Sequence, residues 1–435
     1  MACRVDITTL DAATLNALKA KSILRIKIKT LSYEYYEKIK ITRLVDSIAY
    51  IPFNLASQYI PQETWLPKRT DLQQMEMIFS GTLRPHQAEI EAKALAELNN
   101  HHSVVVSCYT GFGKTITAIA LACRLKLKTL ICTPRLILFE QWINAILNNC
   151  DNTGTNRPVS VIYPSKPLDP NDLHNFAIIN PQNIHKIDPH ILAQFGTVII
   201  DEIHLILSKK IFRNLLYLTP RYLVALSATS YRPDDLNMLF PVFFNPNHLY
   251  VPLNRHHIIY KVNTGFAPEI QYTKANKINW NKVLDDQSAD KARNDIICRI
   301  IQAFPTRNFL VIVKRISHGE YLYNKLLSKK ENVELICGLK HDFDKACRVL
   351  IGTIGKIGTG FDFEKLDTLL LAADTVEYYI QLIGRIMRTQ DKQHFPIIFD
   401  LVDDNVILKN HFDKRCDVYR QHGGTIRELA TFCKD

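Results

Sequence analysis

The stretch SVVVSCYTGFGKTITAIALACRLK, residues 103–126, decides the fold. Val104, Val105 and Val106 form a short apolar run of the kind that makes a strand buried on both faces. TITAIALACRLK (115–126) reads as an apolar helix. Between them sits a tight turn with two glycines. Gly111 and Gly113 let the backbone curl so that successive N–H groups point inward. The helix that opens near Gly113 adds the positive end of its dipole. Strand, glycine turn and helix in this order make a cradle for phosphate. Lys114 would reach the β- and γ-phosphates of a nucleotide, and the Thr115 hydroxyl would meet Mg²⁺. One position departs from G-x-x-x-x-G-K-[ST]: the pattern asks for glycine at 108, and the chain has Cys108.

A second element strengthens this reading. VIIDEIH (198–204) ends a buried strand with two adjacent carboxylates. Open α/β sheets bind their ligands at that end of their strands. Asp201 is suited to orient the water shell of Mg²⁺, and Glu202 to polarise the water that attacks a γ-phosphate.

Outward from these motifs the chain alternates strand and helix, which indicates an α/β protein with parallel sheets. TLICT (129–133), TVIID (197–201) and YLVALS (222–227) read as strands, and LILFEQWINAIL (136–147) as a helix. A second alternation begins with a helix at DKARNDIICRII (290–301). It continues through strands NFLVIVK (308–314), RVLIGT (348–353), TLLLAA (368–373) and FPIIFD (395–400). HGEYLYNKLL (318–327) and VEYYIQLIGRIMR (376–388) read as its helices. Residues 246–280 show no clear period and are expected to hold the linker. Residues 1–81 read as a small unit of their own, in which SILRIKIKTL (22–31) and EKIKITRLV (37–45) alternate apolar and basic residues as half-buried strands do. The expected division is therefore 1–81, 82–250 and 251–435.

DEIH with GFGKT resembles the DExH group of superfamily 2 helicases and translocases, and the family's other motifs occur in order. LRPHQ (83–87) resembles the adenine-reading segment, with Arg84 and Gln87. In the phosphate loop the resemblance assigns Thr110, Gly111, Phe112 and Gly113 to ATP. CTPRLILFEQW (132–142) resembles the motif that touches the nucleic-acid backbone through Thr133 and Arg135. LSAT (226–229), with Ser227 and Thr229, resembles the motif that couples ATP state to the track, together with His204. IGTIGKIGTGFDF (351–363) brings Thr353 to nucleic acid and Gly360 and Asp362 to the nucleotide. QLIGRIMR (381–388) matches Q-x-x-G-R-x-x-R. Arg385 and Arg388, three apart on one helix, share a face and would act as arginine fingers, with Gln381 as a coupling residue.

The resemblance spans residues 83–388. It implies two tandem RecA-like parallel-sheet domains behind a small strand-rich N-terminal domain. It also implies ATP and Mg²⁺ as cofactors and a nucleic-acid partner, DNA before RNA. Because one chain supplies both halves of the ATP cleft, a monomer is expected. Relatives also accept a small residue in place of the first loop glycine. Ser230 stands where many have proline. SATSYRPDD (227–235), with Arg232 and Asp234, resembles XPB-like repair and transcription helicases. GFGKT with GTGxD resembles the transcript-release helicase of poxviruses. A viral transcription or repair complex is the setting this implies, inside the cell or in a virion. In XPB-like and phage relatives a small domain before the core helps to hold DNA, and residues 1–81 are candidates for that role or for a structural cap.

Composition sets the outer bounds. The 435 residues exceed what one core organises. The net charge of +11 is spread along the chain, which suits a polyanionic partner and also an ordinary basic protein. Ten cysteines without a C-x-x-C pair read as reduced, buried thiols rather than a disulfide or zinc framework. The N-terminus shows no apolar signal-peptide core, and no run of about 18 apolar residues predicts a membrane span. Two other functions fit the same motifs: a nucleotide-gated clamp with little turnover, for which Cys108 and Ser230 are the grounds, and the motor of a restriction-type nuclease.

Overall fold

The computed structural model describes residues 1–29, 34–151, 159–166, 173–208, 211–227, 239–274, 276–338, 342–357, 363–375, 379–387 and 395–429. The chain forms two compact units, Met1–Val251 and Pro252–Asp435. Each is built on a seven-stranded parallel sheet, as the strand–helix alternation predicts.

In the first sheet the strands lie in the order Val159–Ile162, Phe176–Ile179, Thr129–Cys132, Thr197–Ile200, Tyr222–Ser227, Ser103–Cys108, His248–Val251. Every residue of Ser103–Cys108 is buried. Successive side chains go to opposite faces, so Val104, Val106 and Cys108 join one apolar cluster and Val105 joins the other. The first face is covered by helices Pro85–His101, Lys114–Leu125 and Leu136–Asn149, through residues such as Leu98, Leu121 and Trp142. Each such side chain, fully buried, contributes about 1.5–3 kcal/mol.

The opposite face is covered partly by the N-terminal segment. Val5, Ile51, Phe53 and Trp65 share a cluster with Leu130, Val198 and Leu223. Ala2–Asp6, Ile48–Pro52 and Arg43–Val45 form an antiparallel sheet, and Ile23–Lys29 pairs with Glu34–Lys40 in a separate ribbon. The run EKIKITRLV, read as one strand, is thus two strands in two sheets. The break falls at Ile41, which is buried and whose N–H donates to Ser22 O. Just beyond it the Arg43 guanidinium lies over the rings of Tyr50 and Tyr217, at 4.4 and 3.9 Å.

The second sheet runs Val333–Ile336, Val349–Thr353, Phe309–Val313, Thr368–Leu371, Ile397–Val402, His257–Asn263, Gly424–Glu428. Two strands, His248–Val251 and His257–Asn263, fall within the stretch read as linker. Their signal is weak for physical reasons. The first is a half-exposed edge, and the second buries positions 257, 259 and 262, which break a period of two. Among the described residues no helix is long and apolar enough to cross a membrane.

Candidate functional site

The phosphate loop leaves the strand Ser103–Cys108 at its carboxyl end. Gly111 and Gly113 both have φ of +93°, a conformation that disfavours any side chain. Cys108 lies outside this strained region: it is the last strand residue, paired with Val251, and its side chain is in the core. Glycine is therefore not required there. Burial holds its thiol up, at a pKa of about 12, against the smaller pull of Lys114, so it is a neutral packing group.

Gln87 reaches the loop from the first turn of Pro85–His101. Its Nε2 donates to Phe112 O at 3.1 Å and to Gly113 O at 3.4 Å, while its Oε1 accepts from Arg84 N at 2.8 Å. Arg84 is exposed at the N-cap. The Phe112 ring is buried, edge-on to His86 and Tyr109, so this residue offers the loop only its main chain. The Lys114 ammonium donates to the carbonyls of Cys108 (2.9 Å) and Tyr109 (3.3 Å) and so folds over the loop. Thr110 and Thr115 are partly exposed in the loop and the first helical turn.

The acidic pair follows Thr197–Ile200, two strands away from the loop strand in the sheet. Asp201 is buried. Its N–H donates to Cys132 O at 2.9 Å, and its Oδ2 accepts from Trp142 Nε1 at 2.9 Å. Burial first, then the neighbouring Glu202 charge, push its carboxyl up to about 6, against the pull of Trp142 and Lys114. Glu202 sits at φ 52°, ψ 51°, left-handed for a residue with a side chain, which costs roughly 1–2 kcal/mol. Such strain is often held at functional sites. The Glu202 carboxylate is 3.4 Å from His204 Nδ1, which is hydrogen-bonded to Ser227 Oγ at 3.1 Å. Ser227 ends the strand between the two motifs and pairs with Ser107 of the loop strand. The loop, the acidic pair and Ser227 thus share one end of one sheet.

The residues expected to touch nucleic acid differ among themselves. Thr133 is fully buried at a strand end and has no surface to offer, whereas Arg135, the N-cap of Leu136–Asn149, is partly exposed. In the second unit Thr353 is half-buried at the end of its strand. Gln381 and Arg385 are buried on the helix Tyr379–Ile386. Thr229, Gly360, Asp362 and Arg388, with Ser230, Arg232 and Asp234, lie outside the described residues.

Sequence reasoning missed Trp142 and the polar network of the second unit. There Arg415 makes two 2.8 Å bonds to Asp400 and donates to Asp374 (3.1 Å) and to Thr375 O (3.0 Å). Arg293 pairs with Asp403 at 2.8 Å. His411 and Asp374 are 2.7 Å apart. Burial would raise the Asp374 carboxyl, but His411 and Arg415 outweigh it and hold it low. The residues so fixed, Asp374 and Thr375, precede the helix of Gln381 and Arg385 in sequence. Only separated residues contribute, so no local motif announces the network.

Two parallel α/β sheets, the first with a glycine loop and an acidic pair at one end, define a nucleotide-binding motor of the RecA-like class. The family model "Type III restriction enzyme, res subunit" matches residues 80–232. "Putative helicase 161L" of Invertebrate iridescent virus 6 is 44% identical, across 98% of this chain and 99% of that protein. "Transcript termination protein A18" of Myxoma virus is 24% identical, across 70% of this chain and 69% of its own length. Among solved structures, S. cerevisiae Dbp5 L327V bound to RNA and ADP BeF3 superposes with a TM-score of 0.55 at 17% identity. That alignment covers 79% of this chain and 90% of that one, and it shows the tandem RecA-like fold. The chain belongs to the superfamily 2 helicases of large DNA viruses and is an ATP-dependent helicase, a nucleoside triphosphate hydrolase.

Proposed function

We propose that the protein hydrolyses ATP to move along or unwind DNA during viral transcription or repair. The observation that carries this reading is the convergence of Lys114, Asp201, Glu202, His204 and Ser227 at one end of the first sheet. The loop amides and Lys114 hold the phosphates. Gln87 and Arg84 read the base. Glu202 orients and polarises the attacking water, and the bond from His204 to Ser227 reports the state of that end of the sheet. Thr115 and Asp201 would hold Mg²⁺, which would supply neutralising charge to the phosphates when bound. The glycine curl and the adjacent carboxylates fit that ion and its nucleotide. Arg385 and Arg388 are assigned as arginine fingers from the second unit, with Gly360 and Asp362 near the nucleotide. Arg135 and Thr353 touch the phosphate backbone. The working form is a monomer.

Residues 1–81 are assigned a holding role on the same nucleic acid. The ribbon of Ile23–Lys29 and Glu34–Lys40 sets Arg25 directly opposite Lys38, and Ile23 opposite Lys40. Arg25, Lys38 and Lys40 are exposed, and Tyr36 on that face is 64% exposed. Like charges directly opposite destabilise a ribbon; a polyanion removes that penalty. DNA is placed before RNA on the resemblance of residues 227–235 to XPB-like repair and transcription helicases. The test is competition among single-stranded DNA, duplex DNA and RNA of equal length at two salt concentrations. Tighter, nucleotide-dependent binding of a DNA supports the reading, and preference for RNA in both salts overturns the DNA assignment.

A further inference from the structure

Trp142 lies in the second turn of Leu136–Asn149 and is 1% exposed. A buried indole N–H needs an acceptor, and this one has chosen a carboxylate, Asp201 Oδ2, at 2.9 Å. The main chain of Asp201 is held separately, by its N–H to Cys132 O at 2.9 Å. Cys132 ends the strand Thr129–Cys132, and Trp142 rides on the next helix. The residue is therefore fixed at two points by one strand–helix unit, so its carboxylate plane has a set orientation.

The type of donor carries the argument. Lysine or arginine would also fix the oxygen, but each would neutralise the carboxylate and compete with any cation brought to it. Indole is neutral and donates only once. It takes one lone-pair site and leaves the negative charge, with the sites that neither it nor the Glu202 N–H occupies, for something else. Metal-holding carboxylates are generally hydrogen-bonded from outside in this way, and losing such a partner typically lowers metal affinity 10- to 100-fold.

We infer that Trp142 is a positioning residue that orients Asp201 toward a nucleotide-bound divalent cation. The inference rests on the assignment of Asp201 to Mg²⁺ made above. The test is calorimetric binding of ADP, with and without Mg²⁺, to the full chain and its Trp142→Phe, Asp201→Asn and doubly substituted forms. In the wild type Mg²⁺ should tighten ADP binding. Trp142→Phe should raise the Mg²⁺ concentration for half of that effect by roughly 10- to 100-fold and leave Mg²⁺-free ADP binding within about twofold. In the Asp201→Asn background it should change nothing further. Wild-type Mg²⁺ dependence in Trp142→Phe, with that dependence lost in Asp201→Asn, would overturn the inference and leave the Asp201 assignment standing. Unchanged dependence in Asp201→Asn would defeat the assignment itself. Should the phenylalanine variant fail to fold, benzothienylalanine installed at 142 keeps the ring shape and removes only the N–H. The same loss of Mg²⁺ dependence is then expected, and a wild-type response would overturn the inference.

Discussion

Gly113→Ala tests how the loop is built. A methyl group at 113 would stand 2.1 Å from Gln87 Nε2 and 3.3 Å from Gln87 Cδ, and among the described residues beyond its chain neighbours it meets no other within 4 Å. Gln87 must withdraw, and it then loses its bonds to Phe112 O, Gly113 O and Arg84 N. At about 1 kcal/mol net for each sound bond, that is roughly 2–3 kcal/mol. The φ of +93° adds about 1–2 kcal/mol of strain for a residue with Cβ. The sum, about 3–5 kcal/mol, weakens ADP binding by roughly 100-fold or more if the loop must hold its phosphate-binding shape. In a Gln87→Ala background the collision is gone and those bonds are already lost. Gly113→Ala should then cost only the strain, about 5- to 30-fold. Calorimetry on the four proteins measures both factors, with a thermal melt to establish folding. Equal factors in the two backgrounds would refute the reasoning, because the cost would then lie in the backbone alone.

Glu202→Gln should lower kcat by roughly 10²–10⁴-fold, the usual weight of a positioned base, with ADP affinity within a few-fold of wild type; calorimetry and steady-state hydrolysis separate the two. Asp201, raised to about 6 by burial and by Glu202, binds its proton more tightly in the folded chain than in the unfolded one. Stability should therefore fall as pH rises from about 4 through 6 and level off above. Asp201→Asn lacks this limb, so urea unfolding should find its stability relative to wild type greater at pH 7.5 than at pH 5. Arg415→Ala leaves Asp400 buried without its cation and Asp374 with His411 alone, and should destabilise the second unit by about 3–5 kcal/mol, read as an early-melting transition. Charge reversal at Arg25, Lys38 and Lys40 should flatten the log–log salt dependence of DNA binding by up to about 3, measured by anisotropy.

Much of the fold was legible because buried parallel strands are apolar runs with little else in them. Ser103–Cys108 and Tyr222–Ser227 have the limits read from sequence. Edge strands such as His248–Val251 were not legible, since a half-exposed strand of four residues carries no period. The acidic pair and the glycine loop could be found because their chemistry needs fixed residue types at short spacing. Trp142 could not, because its partner is 59 residues away and an indole on an apolar helix face reads as core. Arg293 and Arg415 were hidden for a related reason: in sequence they look like solvated helix charges, and only the fold brings Asp403, Asp400 and Asp374 to them. Thr133, read as a contact to nucleic acid, has its side chain enclosed at the strand end, which a motif in sequence does not reveal.

The measurement that tests the central claim most directly is ATP hydrolysis by the purified chain, alone and with single-stranded DNA, duplex DNA or RNA, beside Glu202→Gln. Strong stimulation by a DNA, lost in the variant, is the expected result. Equal hydrolysis by wild type and Glu202→Gln, with or without any polymer, would contradict it.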